Sequence, residues 1–248
     1  MIFREKIYSD YDRFAWFYNR YWGGEFSRPV LFVLGRLLLP EVPRGGRVLD
    51  LCCGTGQLAA GLIDLGLRVT GIDGSEEMLG YARANAPGAD FRRADARNFN
   101  LPPVHHAAVS TFDSLNHVMR LPELARVFRN VRGALAAGGV FLFDLNMEEE
   151  FRNGGNDSLE IVEADHVCVV RSNYEPEARV KSYEITMFRL ESGRWRRSDL
   201  TLLQKYYPEG EVRTALAEAG FGEVTSYDAD REFGLTVSDG RRFFLARA

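Results

Sequence analysis

The residues of greatest chemical interest in this 248-residue chain lie between Val48 and Asp95. The segment VLDLCCGTGQLA, from Val48 to Ala59, runs from an apolar stretch into a glycine turn. Gly54 and Gly56 let the backbone turn tightly and approach a ligand at the start of the following helix, where free N–H groups and the helix dipole attract polar or anionic groups. Asp73 ends the segment VTGID about twenty residues after the turn, the separation at which an acid can accept both hydroxyls of a ribose. Asp95 follows in FRRADARNF. Strand ends on one edge of a parallel sheet open on one crevice, so Asp50, Gly54, Asp73 and Asp95 would surround one nucleoside-sized ligand. Singly, a glycine turn is only a connection and an aspartate only a helix cap; three acids in register with the turn argue for a site.

The elements that must position these residues alternate. Arg47 to Leu51 reads as a strand, Leu58, Ala59, Leu62 and Ile63 fall at helical spacing, and Arg68 to Ile72 is a second strand. Ser75 to Asn85 is a helix with Ser75 as N-cap and Met78, Leu79 and Ala82 inward. Ala89 to Arg93 and Ala107 to Phe112 are the third and fourth strands. A helix over Leu121 to Leu135 starts at Pro122 and stops at Gly138-Gly139, before a fifth strand at Val140 to Leu145. Such alternation predicts an α/β, Rossmann-like, doubly wound and mostly parallel seven-stranded sheet. After Asn146 the pattern changes. Leu159 to Asn173, Val180 to Leu190 and Trp195 to Tyr207 read as extended runs, an antiparallel β insertion at about 155–207 after the fifth strand. A helix at Glu209 to Ala219, closed by Gly220, and strands at Glu223 to Asp228 and Arg242 to Arg247 complete the sheet. Residues 1–40, with the aromatic run YDRFAWFYNRYW and a helical pattern over Pro29 to Leu39, form a helical cap or lid ahead of the domain at 41–248.

These residues resemble the class I S-adenosylmethionine-dependent methyltransferase family, whose first motif, hydrophobic-Leu-Asp-Leu-x-Cys-Gly-Thr-Gly, is matched by Val48 to Gly56. GIDGSEEML (71–79) resembles the second motif, RRADARNF the third, and LAAGGVFLFDL the strand after the family's Gly-Gly turn. The nearest likeness is to small-molecule, sugar-amine N-methyltransferases and their uncharacterised relatives. The resemblance implies S-adenosylmethionine as cofactor. It places Gly54 and Gly56 at the methionine end, Asp73 on the ribose, Asp95 with Ala96 and Arg97 around adenine, and Thr111, Phe112 and Asp113 near the sulfonium. Tyr18, Asp50, Cys52, Gly74 and Met78 complete the implied cofactor-binding set. Cys52 departs from the pattern, standing where many members have the first glycine of the turn; with no basic neighbour to form a thiolate, it reads as small filler.

Methyl transfer from a sulfonium is an in-line displacement, so the protein must chiefly align the acceptor, exclude water and leave its lone pair unprotonated. Few catalytic residues are required, which leaves the acceptor side less legible. TFDSLNHVM (111–119) follows the fourth strand, at the edge where ligands bind in open α/β folds. Its His117 resembles the histidine that sugar-amine N-methyltransferases place near the acceptor amine; the plain alternative is a local cap. The stretch from Tyr11 to Tyr18 resembles the family's YD-x-x-A-x-x-Y segment near the cofactor, making Tyr11 the second catalytic candidate; the plain alternative is a helix burying its aromatics. The insertion could shape an acceptor pocket or a homodimer face.

Two rival readings stay open. GTGQLA also satisfies the dinucleotide pattern G-x-G-x-x-G/A of NAD(P)-dependent oxidoreductases, but Lys6, Lys181 and Lys205 are the only lysines and none follows a tyrosine as the Tyr-x-x-x-Lys pair of short-chain dehydrogenases requires. The chain could also bind S-adenosylmethionine without transferring its methyl group.

Composition narrows the partners. Hydrophobic residues make up 46% and charged residues 27%, near globular averages. Three cysteines, two adjacent and one distant, build neither a disulfide framework nor a four-ligand zinc site, so no metal is expected. The net charge of -4 carries no basic block; Arg194, Arg196 and Arg197 around Trp195 follow a Ser192-Gly193 turn and predict an exposed hairpin, so no nucleic-acid partner is expected. The apolar stretch from Val30 to Leu39 is short and interrupted, and the charged first residues do not form a secretory signal, so no membrane partner and a cytoplasmic location are expected.

Overall fold

The computed structural model describes residues 10–153, 158–235 and 240–248; residues 1–9 of the expected cap and 155–157 of the expected insertion lie outside them. An irregular helical run opens the chain, with a 3-10 turn at Asp10–Arg13, the short α1 (Ala15–Phe17) and a π-helical turn at Tyr18–Trp22, and continues into α2 (Gly23–Leu37). The alternating part then follows as β1 (Arg47–Leu51), α3 (Gln57–Asp64), β2 (Arg68–Asp73), α4 (Glu76–Asn85), β3 (Asp90–Arg93), β4 (His105–Ser110), α5 (Leu121–Ala134) and β5 (Leu135–Asn146). Next come α6 (Glu148–Asn153) and four antiparallel strands, the short β6 (Ser158–Val162) and the longer β7 (His166–Glu175), β8 (Val180–Glu191) and β9 (Arg194–Lys205). The chain closes with α7 (Glu209–Glu218), β10 (Val224–Asp228), α8 (Ala229–Phe233) and β11 (Arg241–Arg247).

The main sheet has the order β10-β11-β5-β4-β1-β2-β3. β1 to β5 are mutually parallel, and β11 runs antiparallel to both β5 and β10. Its central strands are apolar on both faces, as a sheet covered on both sides requires. In β5, Phe141, Phe143 and Leu145 face the core under α5 and α7, while Val140 and Leu142 face the core under α2 and α3. Phe143 stacks between Phe141 and Phe244, with ring centroids 4.8 and 5.1 Å apart. Each such fully buried ring contributes about 2–3 kcal/mol. The polar ends of β1, β2 and β4 therefore have one place to go, the open carboxyl edge.

Three local expectations change. α5 ends at Ala134, because Leu135 already pairs with His105 in the sheet, and Gly138-Gly139 forms an irregularity inside β5 where the register with β4 shifts. Gly138 has φ +72°, and a Cβ at Gly139 would lie 3.0 to 3.2 Å from three backbone carbonyl oxygens, so neither position suits a side chain. β4 stops at Ser110 rather than Phe112, because Phe112 and Asp113 turn into left-handed backbone at φ +63° and +49°. The insertion has four strands rather than three: residues 163–165 turn the expected run 159–173 back on itself, with Glu163 N–H donating to the His166 carbonyl at 2.9 Å.

The four-stranded sheet packs its inner face, with Cys168, Ile185, Met187 and Leu202, against Phe14 and Phe17 of the N-terminal segment. That segment also ties to the main domain. Ser75 Oγ donates to Asp12 at 2.6 Å, and Gln57 and Asn85 donate to Asn19 at 2.9 and 2.8 Å. Residues 10–22 thus bridge the two sheets. Among the described residues no helix is long and apolar enough to cross a membrane.

Candidate active site

A cavity of about 720 Å³ opens along the carboxyl edge of β1, β2 and β4, roofed by the N-terminal segment and walled by the four-stranded sheet. Of the residues singled out from the sequence, Tyr11, Tyr18, Cys52, Gly54, Asp73, Gly74, Met78, Asp95, Ala96, Arg97, Phe112, Asp113 and His117 line it. Asp50, Gly56 and Thr111 do not. Gly56 sits at φ +83° with a position for Cβ only 2.8 Å from Ala82 Cα, so this glycine serves the close approach of α3 to α4. Thr111 is buried beneath the cavity, its carbonyl accepting from Ser114 Oγ at 2.8 Å. Asp50 is 2% exposed and its Oδ2 has no partner among the described residues. Burial, helped by nearby Asp73, raises its pKa to about 8, so the carboxyl is largely neutral at pH 7 and tolerates the missing bond better than a carboxylate would.

Local geometry explains the turn. Cys52 adopts φ +60°, the left-handed region, which is why glycine suits that position. Burial, with Asp73, Asp95 and Asp50 near, pushes the Cys52 thiol far up, so it is no nucleophile. Asp73 accepts from Gly54 N–H and Ser75 N–H, both at 2.9 Å, locking the glycine turn to the start of α4, while Ser75 Oγ caps that helix at Met78 N–H. Asp95 accepts from the Arg97 guanidinium at 2.9 and 2.6 Å and from Arg97 N–H at 2.8 Å.

At the other end of the cavity Tyr11 and His117 meet. His117 Nδ1 lies 2.8 Å from the Leu203 carbonyl, which can only accept, so Nδ1 carries the proton and Nε2 presents a lone pair. Tyr11 Oη is 2.9 Å from that Nε2 and the Gln204 amide nitrogen is 3.3 Å away, both as donors. Burial lowers the His117 pKa more than Asp113 and the Leu203 bond raise it, which favours the neutral base. Asn116, fully buried, fixes the turn that carries His117: its amide donates to the carbonyls of Asn146 and Lys205 at 3.1 and 2.9 Å, and its oxygen accepts from Asn146 N–H at 3.0 Å.

Sequence reasoning missed the network behind this pair. Arg241 bridges Asp113, at 2.7 Å, and Asp144, and Gln204 also donates to Asp113. Burial pushes Asp113 up, but Arg241, His117 and Gln204 outweigh it and hold its carboxyl below the usual range, whereas burial prevails at Asp144. Asp113 N–H donates to Asp144 at 3.0 Å, fixing the left-handed backbone there. Lys181, Tyr183 and Glu150 line the same end. Among the described residues no cluster of His, Cys, Asp and Glu is arranged to hold a metal.

Residues 48–139 match the family model described as a methyltransferase domain. The chain is 28% identical over 214 residues to protein YqeM of Bacillus subtilis (strain 168), covering 84% of this chain and 86% of that one. It is 27% identical over 187 residues to the dTDP-3-amino-3,4,6-trideoxy-alpha-D-glucopyranose N,N-dimethyltransferase of Streptomyces venezuelae, covering 74% and 78%. A solved S-adenosylmethionine-dependent methyltransferase from Clostridium acetobutylicum ATCC 824 superposes with a TM-score of 0.75 over 96% of this chain and 98% of its own, at 21% identity, which shows the shared fold.

Proposed function

We propose that this chain, whose residues 48–139 match a methyltransferase domain and whose fold is that of S-adenosylmethionine-dependent methyltransferases, transfers a methyl group from S-adenosylmethionine to the nitrogen of a small-molecule amine. The observation that carries the choice of amine is the neutral His117, whose Nε2 accepts from the hydroxyl of Tyr11, both residues lining the cavity.

The cavity suits the donor. Its volume lies within the roughly 300–1,000 Å³ of small-molecule sites, and Asp73 with the rings of Tyr18, Phe14 and Trp22 favours a cation joined to an aromatic base. Asp73 and Gly74 would hold the ribose, Asp95 to Arg97 the adenine, and Gly54 with Cys52 the methionine end. Bound there, S-adenosylmethionine would supply an electrophilic methyl group on a sulfonium.

The chain's own residues do the rest. An amine arrives mostly as ammonium, which has no lone pair. Asp113, kept ionised by Arg241, attracts that charge, and His117 Nε2 takes one proton, either directly or through the Tyr11 hydroxyl. Tyr11, Phe14 and Tyr18 of the overlying segment exclude water from the reacting atoms.

The test is methyl transfer to a panel of primary and secondary amines and matched alcohols, followed as S-adenosylhomocysteine released, with calorimetric binding of S-adenosylmethionine and NADH alongside. Turnover with amines and not with alcohols is the expected result. Binding of NADH alone would replace this reading with a dehydrogenase; donor binding without turnover on any acceptor would leave a binding protein.

A further inference from the structure

Among the described residues three Lys and Arg side chains line the cavity, Arg97, Lys181 and Arg241. Two are committed. Arg97 grips both oxygens of Asp95, and Arg241 is forked between Asp113 and Asp144. Lys181 differs. Its side chain is 3% exposed, yet its ammonium comes no nearer than 3.4 Å to the Glu150 carbonyl and 3.5 Å to the Glu150 carboxylate. Both distances lie outside the roughly 2.7–3.2 Å of a well-made N–H···O bond. It also lies by the Tyr183 ring, with the centroid 5.3 Å away, which attracts a cation but gives its three N–H groups no directed acceptor. Burial also pushes the Glu150 carboxyl up despite Lys181.

The position of Lys181 gives that incomplete cation a use. Lys181 pairs with Gln204 across β8 and β9, and side chains opposite one another in an antiparallel pair have Cβ atoms about 4.5–5.5 Å apart. Gln204 in turn reaches His117 Nε2. Lys181 therefore stands one side chain beyond the base, inside the cavity.

We propose that the methyl acceptor carries an anionic group, a carboxylate or a phosphate, a short spacer from its amine, and that Lys181 binds it. This rests on reading the cavity as a methyl-transfer site. A buried ammonium whose acceptors stand at 3.4 and 3.5 Å gains most from a closer, charged one, whereas a neutral acceptor would leave it as poorly completed as before. Lys181 is then a specificity-determining residue rather than a catalytic one.

The test compares three probes, n-propylamine, β-alanine and 3-aminopropyl phosphate, by ligand-observed NMR titration of the full chain, with and without S-adenosylhomocysteine. One of the two anion-bearing amines should bind the wild type at least about tenfold more tightly than n-propylamine, and which one does so identifies the anion. In Lys181→Met, which keeps the apolar stem, that preference should vanish while S-adenosylhomocysteine affinity is unchanged. Equal binding of all three probes by the wild type, or the same preference in Lys181→Met, would overturn the proposal. The wild-type comparison stands even if the variant fails to fold. Failure of S-adenosylhomocysteine to bind would count against the donor reading, whereas the anion preference is read independently of it.

Discussion

Tyr11 Oη and His117 Nε2 lie 2.9 Å apart although their positions differ by 106 in the chain, and both residues line the cavity. The contact couples the N-terminal segment to the turn after β4. It also sets the imidazole, since a hydroxyl donating to Nε2 is compatible only with the tautomer that Leu203 selects.

His117→Ala should lower kcat by about a hundredfold to ten-thousandfold, the usual worth of a positioned base, with S-adenosylhomocysteine affinity unchanged. Tyr11→Phe should cost less, since the lone pair on Nε2 survives. Because burial lowers the His117 pKa, the protonated, inactive form accumulates only below the usual imidazole range. The acid limb of kcat/KM should thus fall at lower pH than for an exposed histidine, and should disappear in His117→Ala. Initial rates across pH 4 to 8 on wild type and variant check this.

Asp73→Ala should weaken S-adenosylhomocysteine binding by about ten- to a hundredfold, the loss of a hydrogen bond to a charged group. The effect has two sources. The carboxylate itself faces the cavity, and it also holds the Gly54 and Ser75 N–H groups that shape the turn. Asp73→Asn, which keeps one acceptor oxygen, should fall between the two in calorimetry.

Gly56→Ala separates packing from cofactor contact within the same motif. The new Cβ would press on Ala82 Cα, Cβ and O at 2.8, 3.0 and 3.1 Å, and the backbone there has φ +83°. Overpacking and left-handed backbone together should destabilise the fold by about 2–4 kcal/mol, measured by denaturant unfolding. The fraction that remains folded should still bind S-adenosylhomocysteine.

These cases also show what the sequence made legible. The glycine turn, Asp73 and Asp95 are readable because each stands at or just past the end of a strand, in a segment contiguous in the chain whose local pattern fixes where the strand ends. Gly56 looked equivalent to Gly54 because spacing cannot tell a residue facing a ligand from one facing a neighbouring helix. Arg241, Asp144, Gln204 and Lys181 carried no signal. They come from β5, β8, β9 and β11 and meet only through strand register, with partners as far apart as Asp113 and Arg241, 128 residues. Asn116 was passed over for a similar reason, since a buried asparagine that joins three segments has no sequence periodicity. The turn at residues 163–165 was missed because it contains neither glycine nor proline to interrupt the alternation.

Removal of Arg241 should reveal how much the acid cluster depends on it. Asp113 and Asp144 are held close together at the end of β4 and β5, and Arg241 bonds both. In Arg241→Met the two carboxyls would stay buried without their cation, a loss of about 3–5 kcal/mol by analogy with other broken buried pairs. The pH dependence follows from the sign of the shift. Without Arg241 the folded-state pKa values of both acids rise above their unfolded values, so the folded form binds protons more readily. The variant should regain stability as pH falls through those raised values, while wild type should gain less, from Asp144 alone, because Arg241 holds Asp113 below its usual range there. Urea unfolding midpoints for both proteins at pH 5, 6.5 and 8 decide the matter: a gap that narrows toward pH 5 supports the charge-pair account, and a gap constant with pH would mean that Arg241 acts by packing alone.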